Sequence, residues 1–246
     1  NAVASLWARI LQHRGVDAAL PEKGYHGDYL REMAEAWWQQ HGSEGIALAA
    51  DAAPPASLRQ YVLDAMREEQ DATLARFGVR FDVITSEQAV YDTGRVPAAL
   101  DQLAKAKLTY EQDGALWLRT SDFGDEKDRV LRKQDGSYTY FVPDIAYHLD
   151  KHQRGYHTAI DVWGADHHGY IPRLRGALVA LGLPEDWFQV TLVQLVKVMR
   201  GGAEAKMSKR SCEFVTLADL YEETCVDAAR YWFLMRREDM ALSPAG

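Results

Sequence analysis

The chain is poor in cysteine. It has two in 246 residues, and Cys212 and Cys225 are not spaced as CxxC. A disulfide framework and a cysteine-built zinc site are therefore excluded, and free thiols in a reducing compartment, the cytoplasm, are expected. No uninterrupted apolar run approaches the ~18 residues of a membrane span, so no membrane partner is expected. The opening NAVASLWARIL carries Arg9 and has no basic leader, so it is not read as a signal peptide. It also lacks an initiator Met, and the chain is expected to begin inside a longer protein. Positive charge is the scarcer sign: 28 Lys and Arg against 36 Asp and Glu leave a formal net charge of −8. That argues against a protein coated in nucleic acid, while leaving room for a local basic site. The GxxxxGK[ST] phosphate loop and the GxSxG elbow are missing. SDFGD, residues 121–125, has neither a glycine-rich GxGxxG loop nor an HRD motif to make it a kinase signature. There is no internal repeat and no low-complexity tract.

What is present is an ordinary globular composition, 47% apolar and 26% charged, long enough for one large domain or two small ones. Leu30, Met33, Ala34, Trp37 and Trp38 recur at helical spacing and predict a helix ending near Gly42. After the linker DAAPPAS, Leu58, Tyr61, Val62, Ala65 and Met66 predict a second helix to about Phe77, with the acidic REEQD run on its wet face. VRFDVITS reads as a strand and VPAALDQLAKAKLTY as a short helix. Two Asp-Gly pairs, Asp113-Gly114 and Asp135-Gly136, predict hairpins with type I′ turns. Beyond them the pattern alternates. PDIAYHLDKHQ is a helix with Pro143 near its first turn, TAIDVWG a buried strand and GYIPRLRGALVALG a helix. FQVTLVQLVKVM is a strand, TLAD a capping box and VDAARYWFLMR a last amphipathic helix. Alternating strands and helices argue for a parallel sheet with crossover helices.

Three stretches carry candidate chemistry. In VWGADHHGYI, a strand ends at Trp163 and Gly164, Asp166, His167, His168 and Gly169 fill the strand-to-helix turn, where open parallel sheets bind ligands. The glycine admits a nucleotide, the aspartate can accept from ribose hydroxyls and a histidine can donate to phosphate. The plain alternative is a tight turn with surface histidines. Zinc is a rival because His148, His152, His157, His167 and His168 fall close together. However, His148 and His152 lack the glutamate of HExxH and no cysteines complete a set, so no structural metal is expected. In YTYFVPDIAYH, Tyr140 and Asp144 can hold a planar cation, although an aspartate capping a helix is the plain reading. In the third, from Lys197 to Arg210, five cations (Lys197, Arg200, Lys206, Lys209, Arg210) face one anion, Glu204. Gly201-Gly202 gives freedom, and Lys206, Ser208 and Lys209 can close over a polyphosphate.

Taken together, LPEKGYHGDYL, SYTYFVPDIAYHLDK, VWGADHHGYIPRLRGAL, KMSKRSCEFVTLADL and VDAARYWFLMR make the chain resemble the catalytic region of the arginyl-tRNA synthetases. These are class I aminoacyl-tRNA synthetases. The resemblance implies an α/β fold: a Rossmann-like parallel sheet with crossover helices, incomplete, with a helical and β-hairpin insertion. It implies an insertion region over 1–135, the second half of the nucleotide-binding fold with the KMSKR loop over 136–215, and a helical segment leading toward the tRNA-binding region over 216–246. The implied reaction joins arginine to ATP as arginyl-adenylate, then passes arginine to tRNA(Arg). The first step usually needs the tRNA. ATP with Mg2+, L-arginine and tRNA(Arg) are the implied partners, and a monomer is expected. By resemblance Tyr140 and Asp144 recognise the guanidinium. Gly164, Asp166, His167, His168, Gly169, Gln194 and Met207 belong to the ATP pocket, and Lys206, Ser208 and Lys209 serve the triphosphate and transition state.

The His-x-Gly-His motif of the class and a helical anticodon-binding domain are absent from the sequence, and Cys212 stands where many relatives have glycine. The expectation is a fragment that is inactive alone. A non-catalytic synthetase-like binding module is the alternative. A different nucleotidyltransferase would leave the Tyr140/Asp144 pair without a role.

Overall fold

A computed structural model describes residues 2–42, 45–194 and 215–235, together with the backbone of 199–200 and 203–204. The chain divides into two compact units. The first holds described residues 2–81, 199–200, 203–204 and 215–235. Its helices α1 (Ala2–His13), α2 (Tyr29–His41) and α3 (Ala56–Arg76) bury one stripe each. Leu6, Ile10 and Leu11 meet Leu30, Ala34 and Trp37, and Leu58 and Val62 close the core. Trp7 packs edge-on against Trp37 at 6.5 Å and sends its indole N–H to the Ala52 carbonyl at 2.7 Å, so its one polar atom is satisfied. Glu68, Glu69 and Asp71 lie on the exposed face of α3, as their charge predicts.

In the same unit, α8 (Leu217–Thr224) and α9 (Val226–Leu234) meet the end of α3. Phe233 packs edge-on against Phe77 at 6.0 Å, and Arg76 lies 4.4 Å over the Tyr221 ring. The expected capping box is present: Asp219 N–H donates to Thr216 Oγ1 at 2.9 Å and Thr216 N–H donates to Asp219 Oδ2 at 2.8 Å. Cys225, an exposed free thiol, links the two helices at φ 93°, ψ 157°.

The second unit holds described residues 82–194. It runs α4 (Glu87–Asp92), α5 (Arg95–Lys105), a three-stranded antiparallel sheet of β1 (Thr109–Gln112), β2 (Ala115–Leu118) and β3 (Arg129–Arg132), then α6 (Phe141–Gln153). Next, β4 (Ala159–Gly164) and β5 (Phe188–Val193) are parallel, joined through α7 (Ile171–Ala180), with Ala159 opposite Phe188 and Gly164 opposite Val193. This is the expected crossover. One core serves all these elements: Leu103, Leu118, Leu131, Val142, Ile145 and Leu174 are wholly buried. In the first unit, two-residue strands β6 (Met199–Arg200) and β7 (Ala203–Glu204) pair antiparallel.

Three local expectations are corrected. VRFDVITS forms no strand, because it finds no partner ladder among the described residues and leaves Phe81, Val83 and Ile84 more than half exposed. The Asp113-Gly114 turn has the two positive φ values, 52° and 73°, that a type I′ hairpin needs, but at the second site only Gly136 is positive, at 82°. There Gly136 N–H closes a turn onto the Lys133 carbonyl at 3.0 Å while Asp135 Oδ1 accepts from Ser137 N–H and Oγ–H. A local side-chain acceptor has replaced the mirror-image turn. Lastly, β4 is not buried on both faces: Ile160 is 61% and Val162 68% exposed, while Ala159 on the other face is buried. Among the described residues no helix is long and apolar enough to cross a membrane.

Candidate functional site

The site is built around the first turn of α6. Asp144 does not cap this helix. Tyr140 occupies the cap position without a side-chain bond, and Asp144 sits inside the first turn. Its carboxylate instead accepts a 2.6 Å hydrogen bond from the Tyr170 hydroxyl, delivered by the 3-10 turn Ala165–Tyr170 that follows β4. Burial holds the Asp144 carboxyl above the usual carboxylate range, with Tyr170 pulling the other way. Burial and the facing carboxylate push the Tyr170 phenol far up, so it remains a donor.

Asp144 and Tyr147, one helical step apart, line two cavities. The first, about 280 Å³, is completed by Thr85, Glu87, Val90, Tyr140 and Pro143. Tyr140 is 81% exposed, so it lies at the rim, and the phenol that bonds Asp144 is that of Tyr170. The second cavity, about 340 Å³, lies at the carboxyl end of β4 and is completed by His148, Asp161, Trp163, His167, Tyr170 and Leu174. Between helix and sheet, His148 Nδ1 meets the Asp144 backbone carbonyl at 2.8 Å and Nε2 meets Asp161 Oδ2 at 2.9 Å. Lys151 Nζ donates to Asp161 Oδ1 at 2.9 Å. Burial alone would raise the Asp161 carboxyl, but His148 and Lys151 outweigh it and hold it below the usual range. This network ties α6 to β4 beside both cavities.

The other sequence-predicted residues fall as follows. Gly164 ends β4, where a Cβ would stand 2.5 Å from Asp166 Oδ1. Asp166, His167, His168 and Gly169 are exposed, and of these His167 lines the second cavity. Asp166 Oδ2 and His167 Nε2 stand 3.7 Å apart on the exposed surface, a contact that adds little stability. Gln194 follows β5 next to Val193, the register partner of Gly164, so it leaves the sheet at the same end. Lys206, Met207, Ser208 and Lys209 lie outside the described residues, as does Cys212. Sequence reasoning missed Glu87, Tyr147, Asp161 and Tyr170, and weighed His148 only as a metal ligand. Tyr147 and His148 could have been found, being three and four residues beyond Asp144 on one helix face. Glu87 and Tyr170 carry no linear signal, since loops and turns bring them in. Among the described residues no three His, Cys, Asp or Glu side chains gather as a metal site. The SDFGD stretch is structural: Arg129 grips the buried Asp125 carboxylate through two 2.6 Å bonds.

A family model described as tRNA synthetases class I (R), catalytic domain, matches residues 48–245. The chain belongs to this family. An arginine–tRNA ligase of Geobacter metallireducens is 46% identical over 248 residues, covering 98% of this chain and 44% of the relative. Arginine–tRNA ligase 1 of Halalkalibacterium halodurans is 45% identical over 242 residues, covering 98% and 43%. A Campylobacter jejuni crystal structure, provisionally named an arginyl t-RNA synthetase, superposes with a TM-score of 0.85 at 35% identity, covering 98% of this chain and 53% of that one. This class I synthetase chain therefore spans less than half the length of those two curated relatives. Its α/β fold, with parallel β4 and β5 and a crossover helix, is the Rossmann-like core expected of the class.

Proposed function

We propose that this chain is part of the catalytic region of an arginine–tRNA ligase, which activates arginine with ATP and transfers it to tRNA(Arg). The observation that carries the reading is the acid-lined cavity of about 280 Å³, where carboxylates of Glu87 from α4 and Asp144 from α6 stand with the Tyr140 phenol. Guanidinium is a planar cation with donors on several edges. Two carboxylates from different helices can each take an edge, and lysine cannot present such a fork. The curated relatives carry the same activity in their names.

In this reading Gly164, Asp166, His167, His168, Gly169, Gln194 and Met207 serve ATP at the carboxyl end of the sheet. Lys206, Ser208 and Lys209 neutralise charge that develops as pyrophosphate leaves. Magnesium would arrive with the triphosphate. Residues 1–135 act as insertion region, 136–215 as the second half of the nucleotide fold and 216–246 as the helical path toward tRNA. The protein works as a cytoplasmic monomer, and the isolated chain is inactive. The test is pyrophosphate exchange by the intact protein that carries this sequence, with tRNA(Arg) present. Arginine should drive exchange and lysine should not. Equal response to both, or exchange with neither, defeats the reading.

A further inference from the structure

The Tyr170 hydroxyl is the one protein group, among the described residues, seen donating to the Asp144 carboxylate. Its ring cannot swing freely. Phe141 packs against it at 6.1 Å, Trp163 at 5.7 Å, and the Arg173 guanidinium lies 5.0 Å from its centre. A packed ring therefore delivers a fixed donor to Oδ2, and the turn that carries it is the one that lines the second cavity. We propose that Tyr170 is a positioning and specificity-determining residue: by fixing Oδ2 of Asp144, it orients the carboxylate and keeps its charge available to a cationic substrate in the neighbouring cavity. This rests on the arginine reading of that cavity.

Asp144 works against its surroundings. Burial favours its neutral form, as do the facing anions Glu87 and Asp161, while His148 and the Tyr170 hydrogen bond favour the carboxylate. Tyr91, itself raised by burial and by anions that include Asp144, also faces it, and Tyr147 and His167 line the same cavities. Losing the phenol removes a donor that favours ionisation, so the carboxyl titrates at higher pH. A neutral carboxyl accepts a guanidinium poorly. The specificity of the site for a cation thus depends on a hydroxyl that need not touch the substrate.

The test is Tyr170→Phe in the intact protein carrying this sequence, read in two ways. Arginine titrations across pH 5–8 should show about tenfold weaker binding near neutrality. The acid limb should move to higher pH, with KM changing more than kcat. The ¹³C resonance of the Asp144 carboxyl, assigned with Asp144→Asn, should titrate at higher pH in the variant without any ligand. Unchanged affinity with an unmoved acid limb overturns the proposal, and so does an unmoved carboxyl midpoint. Should wild type bind no arginine, the functional reading fails, while the carboxyl titration still decides the role of Tyr170. If Tyr170→Phe does not fold, the wild-type protein should show a slowly exchanging phenolic proton that disappears in Asp144→Ala, which removes the acceptor. Its absence from wild type overturns the proposal.

Discussion

Asp161→Asn is the sharpest perturbation of the scaffold under the site. Asp161 accepts from His148 Nε2 and Lys151 Nζ, both at 2.9 Å, and the side chains of His148, Asp161 and Lys151 are only 4%, 11% and 19% exposed. An amide at this position keeps the shape and removes the charge. One charge-assisted bond is worth about 1.5–3 kcal/mol, and breaking a buried pair costs about 3–5 kcal/mol. Lys151 is the most exposed of the three and can turn to water, which places the expected loss near the lower bound, about 3 kcal/mol. For a chain of this size that is about 6–12 °C in Tm. The sign with pH follows from the depressed Asp161 carboxyl. Its contribution is complete above the ordinary value of 3.8 and is lost as pH falls through the lower folded value. Urea unfolding of wild type and variant at pH 7 and at a series of falling pH values tests this. A difference below about 1 kcal/mol at pH 7 refutes the reasoning, and so does one that stays full when Asp161 is protonated. The KM for arginine should rise as well, because His148 also holds the backbone carbonyl of Asp144.

Asp144→Asn should weaken arginine binding by about 2–5 kcal/mol, roughly 30- to 4,000-fold. It should not lower Tm, because burial raises this carboxyl and its ionised form opposes folding above the ordinary value. Calorimetric titration and thermal melts of one sample read both. Lys209→Ala should slow arginine-dependent pyrophosphate exchange by roughly 10²–10³ under the triphosphate role proposed for that lysine, and an unchanged rate removes that role. Cys225→Gly should stabilise by about 1 kcal/mol or more, since φ 93°, ψ 157° is a glycine conformation. A fall in denaturant midpoint would show that the thiol makes a contact worth more than the strain.

Much of this was legible in the sequence where the signal is local. The stripe from Leu30 to Trp38 and the Thr216–Asp219 capping box depend on residues a few positions apart, and both elements formed as read. The Asp113-Gly114 turn was legible for the same reason, whereas Asp135 bonded to Ser137 instead, a competition between side chain and backbone that an Asp-Gly pair does not reveal. The stretch from Val79 to Ile84 has strand composition but, among the described residues, no neighbour to pair with, and pairing is a long-range property. At the site, Asp144 and Tyr140 were visible as candidates, and both line the same cavity, while the phenol that bonds Asp144 was not. Tyr140 is close in sequence, yet Tyr170, 26 residues on, makes the bond because the β4-to-α7 turn returns it to α6.

The two carboxylates flanking His148 separate function from stability. Asp161 is met by two donors and its charge holds α6 against β4. Asp144 is met by one phenol and its charge opposes folding. A residue kept ionised at a cost to the fold is placed for a ligand that repays the charge, and a guanidinium in the Glu87 cavity would do so. The two variants should therefore differ in stability while both weaken binding: loss of Asp161 destabilises first and weakens arginine binding through α6. Loss of Asp144 weakens binding directly and leaves the fold as stable as before. Parallel changes in both properties for both variants would mean that the network is one structural cluster, with no division of labour between its acids.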